Sequence, residues 1–314
     1  MQKQPINELG WLIDPNSIEW VTRYNSLLQY IDKLIPVEKG SIPAPVFIIG
    51  PPRSGTTLVY QLIAQCLDVG YINNFIARFW QAPILGTYLS ERIYKVSPDE
   101  DFISSFGRTE GLGGVHEFGY FWRRFFDSTH SDYAEEILLE NKLKLQREVH
   151  SMSSIFGRRL VFKNLTCGLR ILPLSESFPG AIFIQVKRDI IENAISILKA
   201  RRVYRGSERA WWSLIPKEIE NLRKLSVESQ IRAQIFSTYE AINRQIQAIG
   251  ATLITIEYER ACREPSSVIE MLADELQVMI RKIPEKEFVP ATHLPSDDPL
   301  EKNLIEVFNK GPNL

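Results

Sequence analysis

The chain has 314 residues, and 37 Lys and Arg stand against 38 Asp and Glu, a formal charge of −1. That balance excludes the basic excess that general nucleic-acid or membrane-surface binding requires. A hydrophobic fraction of 44% with 11% aromatics excludes disorder and is enough for a sizeable core.

The opening stretch has one early cation and no long apolar run, so no secretory leader is expected. No apolar run approaches the ~18 residues that span a bilayer. A helical segment is predicted within about residues 1–40. Ile18, Val21, Leu27, Leu28, Ile31 and Leu34 recur there at helical spacing, and the run stops before Pro36. Val46 to Ile49, a continuous apolar run between Pro and Gly, predicts a buried strand, and Thr56 to Leu67 predicts a helix. From about Gly86 to Glu140 the rhythm breaks. The middle of that stretch, FGRTEGLGGVHEFG, holds five of the 17 glycines (Gly107, Gly111, Gly113, Gly114 and Gly119), which predicts a largely irregular insertion.

Leu160 to Lys163, Ala181 to Val186 and Leu253 to Tyr258 repeat the buried-strand pattern. Helices are predicted over Ile190 to Arg201 and Ser226 to Ile249. Strands alternating with helices predict one α/β domain over residues 1–314, with a mostly parallel central sheet flanked by helices and a core over about 45–280. Ligands in such sheets bind at the carboxyl ends of the strands. The three cysteines, Cys66, Cys167 and Cys262, are too widely spaced for a zinc site or a disulfide framework. They fit a reducing cytoplasm, and no metal site is expected.

Gly50-Pro-Pro-Arg-Ser-Gly-Thr-Thr57 joins the first strand to its helix. A Gly-rich turn there aims successive backbone N–H groups into one concavity, and the helix N-terminus adds its positive dipole. The prolines donate nothing, so the useful amides run from about Arg53 to Thr57, through Ser54, Gly55 and Thr56. The G-x-x-x-x-G spacing matches a nucleoside-triphosphate loop, but the Lys that should follow the second Gly is Thr56, and the only cation is Arg53. A second anion site follows the Ala181 to Val186 strand, where Arg188 offers a charge-assisted contact and Ser196, about two turns into the next helix, a neutral one.

Taken together, PPRSGTTL and FIQVKRDIIENAIS resemble the sulfotransferases that use 3′-phosphoadenosine 5′-phosphosulfate (PAPS). In that family the PRSGTT loop holds the 5′-phosphosulfate, and an Arg followed eight positions later by a Ser holds the 3′-phosphate. LVFKNLTCGLRILPLSESFPG is similar to the family's Lys-bearing strand, and ITIEYERACREP to its YE-x-L-x-x-P tail, with Ala261 in place of Leu. The resemblance spans about Pro45 to Val278. It implies that Arg53, Ser54, Gly55, Thr56 and Thr57 hold the 5′ end of PAPS and that Arg188 and Ser196 hold the 3′-phosphate. It also implies that Arg53 and Lys163 act on the transferring group. Sulfuryl transfer involves less negative charge than phosphoryl transfer, so fixed cations serve without a metal.

The general base is not carried over. The small-molecule branch places a His two residues after the strand Lys, where this chain has Leu165. The protein-tyrosine branch places a Glu after the first βα unit, where this chain has Asn73 and Asn74. Within the insertion His116 and Glu117 are the candidates, ahead of the aromatic run Phe118, Tyr120, Phe121 and Trp122. The basic clusters Arg123–Arg124 and Arg201, Arg202, Arg205 and Arg209 read as solvated faces, and Trp211 and Trp212 as core. The acceptor class stays open among small molecules, glycans and lipids, as does the oligomeric state. The competing readings are a degenerate P-loop kinase or NTPase, with Asp189 as its magnesium carboxylate, and a non-catalytic nucleotide-binding relative.

Overall fold

A computed structural model describes residues 15–37, 40, 42–99, 101–293 and 297–309. The leader region, and the part of the N-terminal helical segment over residues 1–14, lie outside the described residues. Helices are α1 (Pro15–Asp32), α2 (Thr56–Cys66), α3 (Pro83–Tyr88), α4 (Gly119–Arg123), α5 (Leu139–Phe156), α6 (Ile171–Ser177) and α7 (Ile190–Arg205). They continue with α8 (Ile219–Leu222), α9 (Val227–Ile249), α10 (Tyr258–Arg263), α11 (Pro265–Leu276) and α12 (Pro299–Asn309). Strands are β1 (Val46–Ile49), β2 (Gly70–Tyr71), β3 (Leu160–Lys163), β4 (Ile182–Lys187) and β5 (Thr252–Glu257). All pair in parallel, in the order β2-β3-β1-β4-β5. This is the α/β P-loop-type layered fold that the alternation predicts.

Both faces of the sheet are covered, so its central strands are continuously apolar. On one face Phe47 is in register with Phe162 and with Phe183, and the three rings stack across β3, β1 and β4 at centroid distances of 5.8 and 5.4 Å. On the other face Val46, Ile48, Val161, Ile184 and Val186 meet α2 and α11 through Tyr60, Leu62, Ile269 and Leu272. Three neighbouring strands thus end together at their carboxyl edge. β1 runs into the Gly50–Thr57 loop, β3 ends on Lys163, and β4 delivers Arg188.

The insertion is partly ordered by the chain's own geometry. α3 and a following turn, Leu89–Tyr94, make its first part helical, and α4 carries GYFWR. Residues 95–99 and 101–118 between them are irregular, as their glycines predict. The aromatic run is mostly core: Phe118, Phe121 and Trp122 are buried against the Phe47 face, while Tyr120 stacks on Trp80 at its edge. Each basic cluster is only in part the solvated face that its sequence suggests: Arg123, Arg205 and Arg209 are exposed, whereas Arg124 and Arg201 turn inward. Arg124 forms a two-pronged ion pair with buried Glu148 at 2.8 and 3.0 Å. Arg201 is fully buried, bonded to Gln230 and the Glu208 carbonyl under the Trp211 ring.

Candidate active site

The loop after β1 takes its shape from two glycines and one arginine. A Cβ on Gly50 would lie 2.7 Å from the Val186 carbonyl of β4, so only Gly lets the loop leave the sheet there. Gly55 has φ +95°, and a Cβ there would lie 2.1 Å from the Tyr258 ring. Arg53 adopts φ +67°, a left-handed conformation that is uncommon outside glycine. Alternating signs of φ turn successive N–H groups into one nest, and α2 begins at Thr56 with its first-turn amides unsatisfied within the helix. The Ser54 amide is already engaged with the Pro51 carbonyl at 3.3 Å.

The second anchor meets the first directly. Arg53 Nε donates to Ser196 Oγ at 3.0 Å, and Arg188 Nη1 donates to the Arg53 carbonyl at 3.1 Å. Arg188 also lies over the Tyr258 ring, 4.9 Å from its centroid, and its other Nη donates to the Ala291 carbonyl. Asn193, one helical turn before Ser196, is buried and donates to the Pro52 carbonyl at 2.6 Å. Asp189 caps α7, accepting from the amides of Ile191 and Glu192 at 3.0 Å.

The electrostatics of this pair are one-sided. Burial, and next the Arg188 charge, push the Arg53 guanidinium below its usual range. Among the described residues no carboxylate forms an ion pair with Arg53 or Arg188. Buried Arg188 Nε and Ser54 Oγ have no hydrogen-bond partner. Two partly desolvated cations beside unspent donors make a site that an anion completes. The donor set therefore fits a phosphate- and sulfonate-bearing ligand.

Lys163 is buried at the end of β3 and pairs with Glu117, whose side chain is 41% exposed. Asn164 fixes this arrangement by donating to the Glu117 carbonyl at 2.9 Å. Burial pushes His116 down to about 4, leaving it neutral at pH 7. Its Nδ1 accepts from the Phe118 amide at 2.8 Å, which places the ring proton on Nε2. Both base candidates thus sit beside Lys163, but His116 has its basic nitrogen committed to the backbone.

The middle of the insertion folds over the loop. Ser105 and Arg108 exchange backbone hydrogen bonds of 2.8 and 3.0 Å around Phe106 and Gly107, both at positive φ. Phe106 lies over the Arg53 guanidinium at 5.1 Å and meets Tyr204 edge-on at 5.2 Å. Arg108 lies over the other ring contact of that cluster, Tyr204, at 5.1 Å, and Tyr204 stacks on Trp212. A Cβ on Gly107 would stand 3.4 Å from Thr57 Oγ1 and 3.9 Å from both Arg53 Nη1 and Lys163 Nζ. Gln61 and Gln65 of α2 hold this segment by donating to the carbonyls of Ile103 and Asp99.

The structure thus brings Arg53, Ser54, Gly55, Thr56, Thr57, Lys163, Arg188, Ser196, His116 and Glu117 to one edge of the sheet. Sequence reasoning missed Asn193, Asn164, Phe106 and Tyr258. The i, i+3 spacing of Asn193 and Ser196 on α7 is a signal that would have found the first. Tyr258 shows only as part of the tail motif.

The sulfotransferase family profile matches residues 45–281, and the chain belongs to that family. Among solved structures, sulfotransferase STF9 from Mycobacterium avium is similar at 14% identity and a TM-score of 0.52, covering 96% of this chain and 78% of that one. A sulfotransferase from Alicyclobacillus acidocaldarius is similar at 16% identity and a TM-score of 0.48, covering 86% and 93% respectively. The sulfotransferase domain of the curacin biosynthetic pathway gives 16%, 0.45 and 76% of each chain. No curated protein matches the sequence.

Proposed function

We propose that this sulfotransferase moves a sulfuryl group from PAPS to a hydroxyl of a small-molecule, glycan or lipid acceptor by in-line displacement. The observation that carries the reading is the junction of Arg53, Ser196 and Arg188, two cations and a hydroxyl with no carboxylate between them. A kinase or NTPase is disfavoured because no Lys follows Gly55, where such enzymes place the cation that meets the transferring phosphate.

PAPS supplies the activated sulfuryl group; the chain supplies position and charge. The nest from Arg53 to Thr57 binds the 5′ end, and Arg188 with Ser196 binds the 3′-phosphate. Arg53 neutralises the charge that grows on the 5′-phosphate oxygen as its bond to sulfur breaks. Lys163 steadies the sulfonate oxygens in flight. Glu117 takes the acceptor proton as the new oxygen–sulfur bond forms, so the products are a sulfate ester, adenosine 3′,5′-bisphosphate and a proton held on the carboxylate. His116, with Nδ1 committed to the Phe118 amide, orients the segment and leaves the base role to Glu117.

The whole chain acts as one domain in this reading. The insertion covers the donor and shapes the acceptor side, and the three buried thiols fit a reducing cytoplasm. No helix among the described residues is long and apolar enough to cross a membrane. The test is transfer of sulfur label from PAPS to a panel of hydroxyl acceptors in the presence of a chelator. Labelled ester formed without metal supports the reading. Magnesium-dependent release of phosphate from ATP, with no labelled ester, overturns it.

A further inference from the structure

Phe106 and Gly107 both sit at positive φ, 51° and 88°, which closes a two-residue turn between Ser105 and Arg108. The flanks of this turn are tied down by hydrogen bonds. Gln61 of α2 donates to the Ile103 carbonyl at 3.4 Å, and Asn74 donates to the Thr109 carbonyl at 3.1 Å. Between these anchors, over residues 104–108, the only hydrogen bonds among the described residues are the two that Ser105 and Arg108 exchange. The tip is therefore fastened through rings. Phe106 lies over Arg53, and Tyr204 of α7 takes two further contacts, with Phe106 edge-on at 5.2 Å and with the Arg108 guanidinium at 5.1 Å. Tyr204 is backed by Trp212, stacked on it at 5.8 Å. That wall is fixed from behind. Gln234 of α9 donates to the Trp212 carbonyl at 2.9 Å, and Arg201, one turn before Tyr204, donates to Gln230 of the same helix at 2.9 Å.

The tip covers the place where the chemistry falls. A Cβ on Gly107 would stand 3.4 Å from Thr57 Oγ1 and 3.9 Å from both Arg53 Nη1 and Lys163 Nζ, so Gly107 roofs the point where the loop after β1 meets the end of β3. We infer that the Phe106–Gly107 turn keeps water off the transferring sulfuryl group, and that Tyr204 is the positioning residue that latches it. This inference rests on the proposed sulfuryl transfer. Water is an oxygen nucleophile, as an acceptor hydroxyl is, and is far more abundant. Where it reaches the sulfur, its oxygen forms the new bond to sulfur as the bond to the 5′-phosphate oxygen breaks. The products are sulfate and adenosine 3′,5′-bisphosphate, and the two protons of the water pass to Glu117 and to solvent. A turn closed over the reacting bond suppresses that loss.

The test measures labelled sulfate released from sulfur-labelled PAPS with no acceptor present, in the wild type and in three variants. Tyr204→Ala is expected to raise the release about tenfold or more, the combined weight of an aromatic pair and a cation–π contact. Tyr204→Phe keeps the ring that both contacts use and is expected to match the wild type. Arg108→Ala removes one of the two contacts and is expected to raise the release about 2- to 5-fold. Adenosine 3′,5′-bisphosphate is expected to bind all of these proteins equally well, because neither side chain is placed at an anion contact. The Arg108 variant decides the matter if Tyr204→Ala fails to fold. Unchanged sulfate release in the alanine variants, release from Tyr204→Phe as high as from Tyr204→Ala, or a loss of bisphosphate affinity in Tyr204→Ala overturns the latch and leaves the transfer reading standing. A wild type that fails to bind the bisphosphate overturns the transfer reading, and the latch with it.

Discussion

The Nε of Arg53 donates to the hydroxyl of Ser196 at 3.0 Å, joining the loop after β1 to a residue two turns into α7, 143 positions away. The loop and the start of α7 are therefore one structure, so the two elements proposed to bind anions are joined before any donor enters. Asn193 holding the Pro52 carbonyl and Arg188 holding the Arg53 carbonyl secure the same junction from below. A ligand with anionic groups at both ends spans a preorganised site, which lowers the ordering cost of binding.

Arg188→Ala is expected to weaken adenosine 3′,5′-bisphosphate by roughly 10- to 150-fold, since a charge-assisted contact contributes about 1.5–3 kcal/mol. Ser196→Ala, which removes a neutral contact, is expected to cost about 2- to 10-fold. Binding of 5′-AMP, which lacks the 3′-phosphate, is expected to change little in the Ser196 variant. Titration calorimetry with the two nucleotides separates these effects. Equal losses for both nucleotides would assign Ser196 to the 5′ end instead.

Much of this junction was legible in the chain itself. β1 and β3 fall where their apolar runs end, and β4 and β5 shift by one residue, because a buried parallel strand needs an unbroken apolar segment on both faces. β2 was invisible: two residues, Gly70 and Tyr71, carry no periodicity. The burial of Arg201 was equally hidden, because its partners Gln230 and Gln234 lie on α9, some thirty residues on. In the site, the loop and the Arg188–Ser196 pair show as local motifs. The Phe106–Gly107 turn over Arg53 does not, since only tertiary contacts with α2 and Tyr204 bring it there.

Gly55→Ala combines a backbone held at φ +95° with a Cβ 2.1 Å from the Tyr258 ring. Backbone strain alone is expected to cost about 1–3 kcal/mol. Because the clash is with one ring, Gly55→Ala and Tyr258→Ala together are expected to cost less than their sum, by about 0.5–3 kcal/mol. Chemical denaturation of both single variants and the double variant measures this coupling. Strict additivity would mean that the ring gives way without cost.

The roles of the two base candidates separate kinetically. Glu117→Gln is expected to lower kcat by about 10²- to 10⁴-fold with little change in the KM for the donor, the usual contribution of a positioned base. His116→Gln is expected to be milder, because the ring nitrogen facing the backbone takes no proton from the acceptor. A His116→Gln loss as large as that of Glu117→Gln, with the acid limb of the pH–rate profile abolished, would transfer the role to His116.

The same histidine sets a pH dependence of stability. Its folded value of about 4 lies below its ordinary value of 6.5, because burial disfavours the cation. The unfolded chain therefore takes up this proton first as pH falls. The stability that neutral His116 contributes is present above about pH 6.5 and is lost progressively toward pH 4. His116→Gln is thus expected to gain on the wild type across that window. Asp32 acts with the opposite sign. Burial raises it from 3.8 to about 6, so its ionisation costs the fold stability as pH rises through that range. Asp32→Asn is expected to gain on the wild type from pH 4 to 6. Melting curves across pH 4–7 for the three proteins check both slopes.

Direct binding of adenosine 3′,5′-bisphosphate in the presence of a chelator, compared by calorimetry with 5′-AMP and with ADP plus magnesium, tests the central claim most closely. The account predicts metal-free binding of the bisphosphate at least tenfold tighter than that of either control. Tighter binding of ADP with magnesium, or no binding of the bisphosphate at all, would contradict a donor site built from Arg53, Arg188 and Ser196.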